Sequence, residues 1–172
     1  MEHMTLESFE TAADFTALSN DTTGIGTVRK KGFGSGSVGL SFDKVDGTGN
    51  KAYAGISKAA VLNLRGFKPH DKICWTIFIP TELVNVASSF VRLGADANNY
   101  LEWRFADSSH VVDRWTLCEV NLGDCYAEAS GLGRLFDIEK ITYLAIGVNF
   151  DASTNALAGI VVDEVYVEKA YL

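Results

Sequence analysis

An alternation of apolar and polar residues, with a period of two, runs through most of the chain. It is clearest in residues 73–79, 100–105, 117–122, 143–150 and 160–167. A helix would repeat its apolar residues about every 3.6 positions, whereas alternation places successive side chains on opposite faces of a β-strand. The pattern therefore predicts a protein built from strands, with little helix.

Four further segments, 6–10, 37–45, 56–64 and 88–93, bring the number of predicted strands to nine. Runs rich in Asp, Asn, Gly and Ser separate the strands. Short strands at intervals of roughly ten residues are typical of an antiparallel β-sandwich of the jelly-roll type. We expect one all-β domain, residues 1–172, in which residues 1–4 are either a cloning remnant or a disordered end.

Charge and cysteine content exclude several classes of function. The chain has 15 basic and 22 acidic residues, a net charge of −7, with no cluster of Lys and Arg, so we expect no nucleic-acid partner. It has no apolar run of about 18 residues, so we expect no membrane span. Cys74, Cys118 and Cys125 lack the spacing of a zinc site, and we expect reduced, core-filling thiols; one disulfide is the alternative.

The glycine-rich segment 24–36 lacks the features of a phosphate-binding loop. It neither follows a clear strand nor opens a helix, and no Gly-Lys-Ser/Thr motif follows it. The segment is therefore predicted to be a mobile loop. The N-terminal residues carry no secretion signal, so they predict no location for the protein.

Asp163 is the first candidate for a metal ligand. By alternation it shares the face of Val161, Val165 and Val167, where a carboxylate needs a partner, hydrogen bonds or a metal ion. Jelly rolls commonly place their terminal strands side by side, which would bring Glu7 and Glu10 to Asp163 and offer calcium an oxygen-rich site. Alternatively, Asp163 faces outward through a bulge or pairs with a lysine such as Lys169.

Four segments, 6–10, 115–122, 141–148 and 161–165, form an ordered set of short motifs across nearly the whole chain. The set resembles the galactose-binding-like jelly-roll superfamily, which includes many carbohydrate-binding modules of glycoside hydrolases. The resemblance implies a structural calcium ion held by Glu10 and Asp163, with Glu7 as a weaker candidate. It also implies that this ion stabilises the fold and takes no part in chemistry.

Glycan recognition needs aromatic rings that stack on sugars beside polar groups that bind hydroxyls. The outward residues of two predicted strands offer Tyr100, Glu102, Arg104 and Tyr143 as a ligand groove. A simpler interpretation makes Glu102 and Arg104 part of a solvated face. The tryptophans at positions 75 and 103 are predicted to be core residues.

The function predicted from these features is a non-catalytic module that binds a polysaccharide, extracellular if it belongs to a secreted enzyme. Catalysis is not expected, since no nucleophile motif is present and an acidic jelly roll offers many coincidental carboxylate pairs. Glu102 with Glu119 is the first such pair to test, because both residues are predicted to face outward. The alternative is a homo-oligomeric jelly-roll protein of a phage or viral surface. Its subunit interface would then include four residues: Tyr143, Ala145, Tyr166 and Tyr171.

Overall fold

Two antiparallel β-sheets make up the computed structural model. It describes residues 3–19, 21–29, 38–45, 53–80, 86–106, 111–125, 127–128, 138–150 and 156–170. The strands in these ranges are β1 (His3–Glu7), β2 (Thr16–Ala17), β3 (Thr22–Val28), β4 (Gly39–Lys44), β5 (Tyr53–Leu62), β6 (Lys72–Phe78), β7 (Val86–Asp96), β8 (Asn99–Ala106), β9 (Trp115–Asn121), β10 (Ala127–Glu128), β11 (Ile141–Phe150) and β12 (Leu157–Glu168). Within the described ranges a 3₁₀ turn, Ala12–Asp14, is the only helical segment, and no helix is long and apolar enough to cross a membrane.

The first sheet has the strand order β3-β4-β12-β6-β9, and β1 pairs with the C-terminal part of β12. The second sheet has the order β10-β8-β7-β11-β5-β2. Neighbours in space are mostly distant in sequence, as the crossing connections of a jelly roll require. The predicted all-β antiparallel sandwich is therefore confirmed.

The core lies between the sheets and is built from the inward residues of the alternating strands. Trp75 and Trp103, at most 2% exposed, belong to it as predicted. Each indole N–H has a partner: Trp75 donates to Ser89 Oγ at 3.0 Å, and Trp103 donates to the carbonyl oxygen of Leu122 at 3.0 Å. These bonds allow two large side chains to be buried without an unsatisfied donor.

The glycine-rich segment was predicted wrongly in its first part. Residues up to Val28 form β3, which pairs with β4 through an irregularity between Thr23 and Gly26. Gly24 has a φ of +64°, a conformation that glycine adopts without strain, and this kink hides the alternation of the strand. Residues 30–36 lie outside the described ranges. At the start of the chain, His3 and Met4, expected to belong to a cloning remnant or a disordered end, form part of β1 and pair with β12.

A β-bulge in β12 changes the prediction for Asp163. Asp163 lies opposite Thr76 and Val165 lies opposite Trp75, so Glu164, with a φ of +51°, is an extra residue. Val165 therefore packs in the core, whereas Val161 does not belong to the core cluster, and the predicted common face was wrong. The predicted burial of Asp163 is confirmed, since its exposure is 0%.

None of the three cysteines forms a disulfide, as predicted. Cys74 and Cys118 are fully buried, and Cys125 is partly exposed. Burial raises the pKa of both Cys74 and Cys118 to about 12, so neither thiol ionises near neutral pH.

Candidate functional site

The face of the second sheet that is turned away from the core carries all four residues predicted for a ligand groove. Alternate positions of β8 place Tyr100, Glu102 and Arg104 on it, and the register brings Gly94, Arg92 and Phe90 of β7 opposite them. Tyr143 lies opposite Gly94, on β11, the strand that pairs with the other side of β7. We call this surface the Arg92 face. It is made by the side chains of Tyr53, Ser57, Phe90, Arg92, Tyr100, Glu102, Arg104, Tyr143 and Asn149.

Glu102 is the electrostatic centre of the Arg92 face. One carboxylate oxygen, Oε2, accepts a hydrogen bond of 2.5 Å from Arg92 Nε, and the other accepts a short hydrogen bond from Arg104 Nε. Glu102 is 1% exposed, so the simpler interpretation of a solvated carboxylate was wrong. A buried carboxylate is tolerated here because two guanidinium groups compensate its charge.

Sequence reasoning did not single out Arg92. Its guanidinium carbon lies 4.5 Å from the ring centres of both Phe90 and Tyr100, and 5.3 Å from that of Tyr53. These distances are those of cation–π contacts. The alternation of β7, with Val91 and Leu93 in the core, already placed Arg92 on the outer face, but only the register with β8 brings it to Glu102.

Two tyrosines form the aromatic end of the Arg92 face. The rings of Tyr100 and Tyr143 have centres 6.4 Å apart and are inclined by 35°. Burial raises the pKa of both phenols; for Tyr143, Arg92 and Ser57 oppose this effect. The hydroxyl oxygen of Tyr143 is enclosed, and no described residue is a hydrogen-bond partner of acceptable geometry for it. A polar contact between this hydroxyl group and a ligand would require the groups around it to move.

Glycine makes the middle of the face flat. A Cβ atom at Gly147 would lie 2.6 Å from Cζ of Phe90 and 2.4 Å from the carbonyl oxygen of Ala54. The ring of Phe90 can therefore lie against the sheet only because position 147 has no side chain.

Two cavities open along the Arg92 face, each of about 360 Å³. One adjoins Tyr143 and is lined by polar groups that include Thr16, Ser57, Lys58 and Thr142. The other adjoins Arg104 and is lined by Ser88 and Asn149, whose side chains are hydrogen-bonded at 2.9 Å. Hydroxyl, amide and charged groups thus stand beside aromatic rings at both ends of one surface.

The carboxylates predicted to share a calcium ion are not assembled as a group of three. Glu7 forms an ion pair of 2.7 Å with Lys58, and its Oε1 accepts hydrogen bonds from the backbone of Ser8 and Phe9. Across the part of the chain that the structure describes, no three His, Cys, Asp or Glu residues lie close enough to hold a metal ion. Lys169 lies 3.6 Å from Asp71, so the expected alternative of a pair with Asp163 is not supported. Calcium binding itself stays a prediction.

Two other predicted groupings are also not assembled. Glu102 and Glu119 were the candidate pair of catalytic carboxylates. Glu119 lies on the first sheet, however, and forms an ion pair of 3.1 Å with Lys72. The residues of the predicted subunit interface are divided between the sheets: Tyr143 and Ala145 are buried on the second, and Tyr166 is on the first. The remaining member, at position 171, lies outside the described ranges.

Comparison with solved structures places the fold among carbohydrate-binding modules. No family model and no curated protein matches the sequence. A family 11 module from Clostridium thermocellum, in complex with a β-1,3-1,4-mixed-linked tetrasaccharide, is 12% identical with a TM-score of 0.64, over 98% of this chain and 96% of that one. The CBM22-1 xylan-binding domain from Paenibacillus barcinonensis Xyn10C is 15% identical with a TM-score of 0.52, over 98% and 95%. These similarities confirm the jelly-roll sandwich as the fold of this chain.

Proposed function

We propose that this protein is a non-catalytic carbohydrate-binding module that holds a glycan on the Arg92 face. The observation that carries the proposal is the grouping of aromatic rings and hydrogen-bonding side chains around two cavities on one face. The fold supports it, because its structural neighbours are carbohydrate-binding modules, one of them in complex with a tetrasaccharide. Fold alone would not assign a function, so the side chains carry the argument.

The proposed roles follow from the chemistry of the side chains. The partly exposed ring of Tyr100 stacks on the C–H face of a sugar, and the ring of Tyr143 beside it holds the ring of Tyr100 in place. Arg104 donates hydrogen bonds to the sugar in the cavity that it shares with Asn149. Glu102 is enclosed by the two arginines, and its role is to position them.

Retention of variants in a gel that contains polysaccharide tests this proposal. Tyr100→Ala should lose retention by mixed-linkage β-glucan or xylan, because it removes a partly exposed aromatic ring from the face. The matched control is Tyr166→Ala, since Tyr166 is also a partly exposed strand tyrosine but lies on the first sheet. Tyr143→Phe keeps the ring beside Tyr100 and removes only an enclosed hydroxyl group, so its retention should stay close to that of the wild type. Equal retention of the wild type and Tyr100→Ala would contradict the assignment.

We propose further that a calcium ion stabilises the junction of β1 and β12, with Asp163 and Glu10 as its carboxylate ligands and backbone carbonyls completing the shell. The fully buried carboxylate of Asp163 and the position of Glu7 opposite Val165 support this arrangement. Glu7 forms an ion pair with Lys58, so we do not include it among the calcium ligands. Calcium added to chelator-treated protein should raise the melting temperature, and no change would contradict the proposal.

A module of this kind in a secreted glycoside hydrolase would act outside the cell, and we propose that location. The residues predicted for the subunit interface of a viral surface protein do not form one exposed surface, so we do not propose that function.

A further inference from the structure

Arg92 is a deeply placed cation whose hydrogen-bonding groups are only partly used by the protein. Its side chain is 10% exposed, and the bond from Nε to Glu102 is its only hydrogen bond in the described ranges. None of its nitrogens is among the enclosed polar atoms that lack a partner, so the terminal N–H groups, which make no hydrogen bond in the described ranges, are not sealed from solvent. An arginine presents these groups as a planar fork that fits an oxyanion.

The surrounding rings hold this fork in place before any ligand arrives. The ring centres of Phe90 and Tyr100 each lie 4.5 Å from the guanidinium carbon of Arg92. Glu102 accepts the hydrogen bond from Nε. A side chain fixed by its neighbours loses little conformational entropy when it binds. Arg92 is therefore preorganised as a recognition group.

The cluster of Arg92, Glu102 and Arg104 has a charge opposite in sign to that of the whole chain. Arg92, Glu102 and Arg104 together carry two positive charges and one negative charge. The chain as a whole carries −7. In a partly desolvated groove, a cation attracts an anion much more strongly than it attracts a neutral hydroxyl group.

We infer that the Arg92 face selects glycans with an anionic substituent, and that Arg92 is the residue that determines this specificity. The substituent is an oxyanion, either the carboxylate of a uronic acid or a sulfate ester, and it accepts hydrogen bonds from the terminal N–H groups of Arg92. The inference rests on the proposed glycan-binding function and names its ligand class.

Calorimetric titration with matched ligands tests the inference. The probes are tetragalacturonate, its methyl ester, a sulfated tetrasaccharide and a neutral mixed-linkage tetrasaccharide. We expect wild-type protein to bind at least one of the two anionic probes at least about tenfold more tightly than both the ester and the neutral probe. The stronger of the two anionic probes identifies the source of the oxyanion.

Arg92→Gln should abolish the preference for anions, and Arg92→Lys should reduce it, because lysine keeps the charge but not the fork. Arg114→Gln is the control, since Arg114 is exposed in the turn before β9 of the first sheet. Binding of the ester or the neutral probe as tightly as the anions would overturn the inference and leave the proposed function standing. Failure of every glycan to bind would overturn the proposed function itself. If Arg92→Gln does not fold, the comparison of acid and ester on the wild type still decides.

Discussion

Replacement of Glu102 by glutamine tests the electrostatic design of the Arg92 face. The amide has nearly the same shape, but it removes the negative charge that Arg92 and Arg104 share. Removing one partner of a buried ion pair costs about 3–5 kcal/mol. The side chain of Arg104 is 30% exposed and can recover some hydration, so we expect a loss near the lower end, about 3 kcal/mol. For a chain of 172 residues, this corresponds to a fall in melting temperature of roughly 6–12 °C.

Thermal denaturation followed by calorimetry gives the measurement, and Glu119→Gln is the matched control. Glu119 forms an ion pair of 3.1 Å with Lys72, but the side chains of both residues are more than a third exposed. Exposed pairs contribute about 0–1 kcal/mol, so the same chemical change should have little effect there. Equal changes in melting temperature for the two variants would refute the reasoning that burial makes Glu102 important.

Three further predictions concern stability and reactivity. Burial would raise the pKa of Asp71, but hydrogen bonds from the backbone of Lys68 and Ala170, with the charges of Lys169 and His70, hold it below 3.8. The wild type should therefore have a larger free energy of unfolding than Asp71→Asn. This difference should be fully present above the pKa of the unfolded state and should shrink as the pH falls below about 4, as measured by denaturant titration. Gly147→Ala should lower stability by about 1–3 kcal/mol in the same assay, because its Cβ would meet Phe90. A thiol reagent at pH 8 should label only Cys125 in native protein and all three cysteines after denaturation.

The alternation of residues predicted the sandwich well, because side-chain period is a local property of each strand. The same property placed Tyr100, Glu102 and Arg104 on one face, since alternate residues of a strand must share it. It also separated the core tryptophans from the outer residues.

Features that depend on pairing between distant strands could not be predicted in this way. The link between Glu102 and Arg92 follows from the register of β7 against β8, and no local pattern fixes that register. The bulge at Glu164 shifted the face of Asp163, and Gly24 hid β3, because one residue with positive φ breaks a period of two. Glu7 was assigned to a metal from its charge, but its partner Lys58 comes from another sheet.

NMR titration with a glycan that binds tests the central claim most directly. The account predicts that the largest changes in chemical shift fall on the ring of Tyr100 and on the guanidinium groups of Arg92 and Arg104. Tyr166, on the first sheet, should show no change. Changes centred on Tyr166 and its neighbours, with the Arg92 face unaffected, would contradict the account.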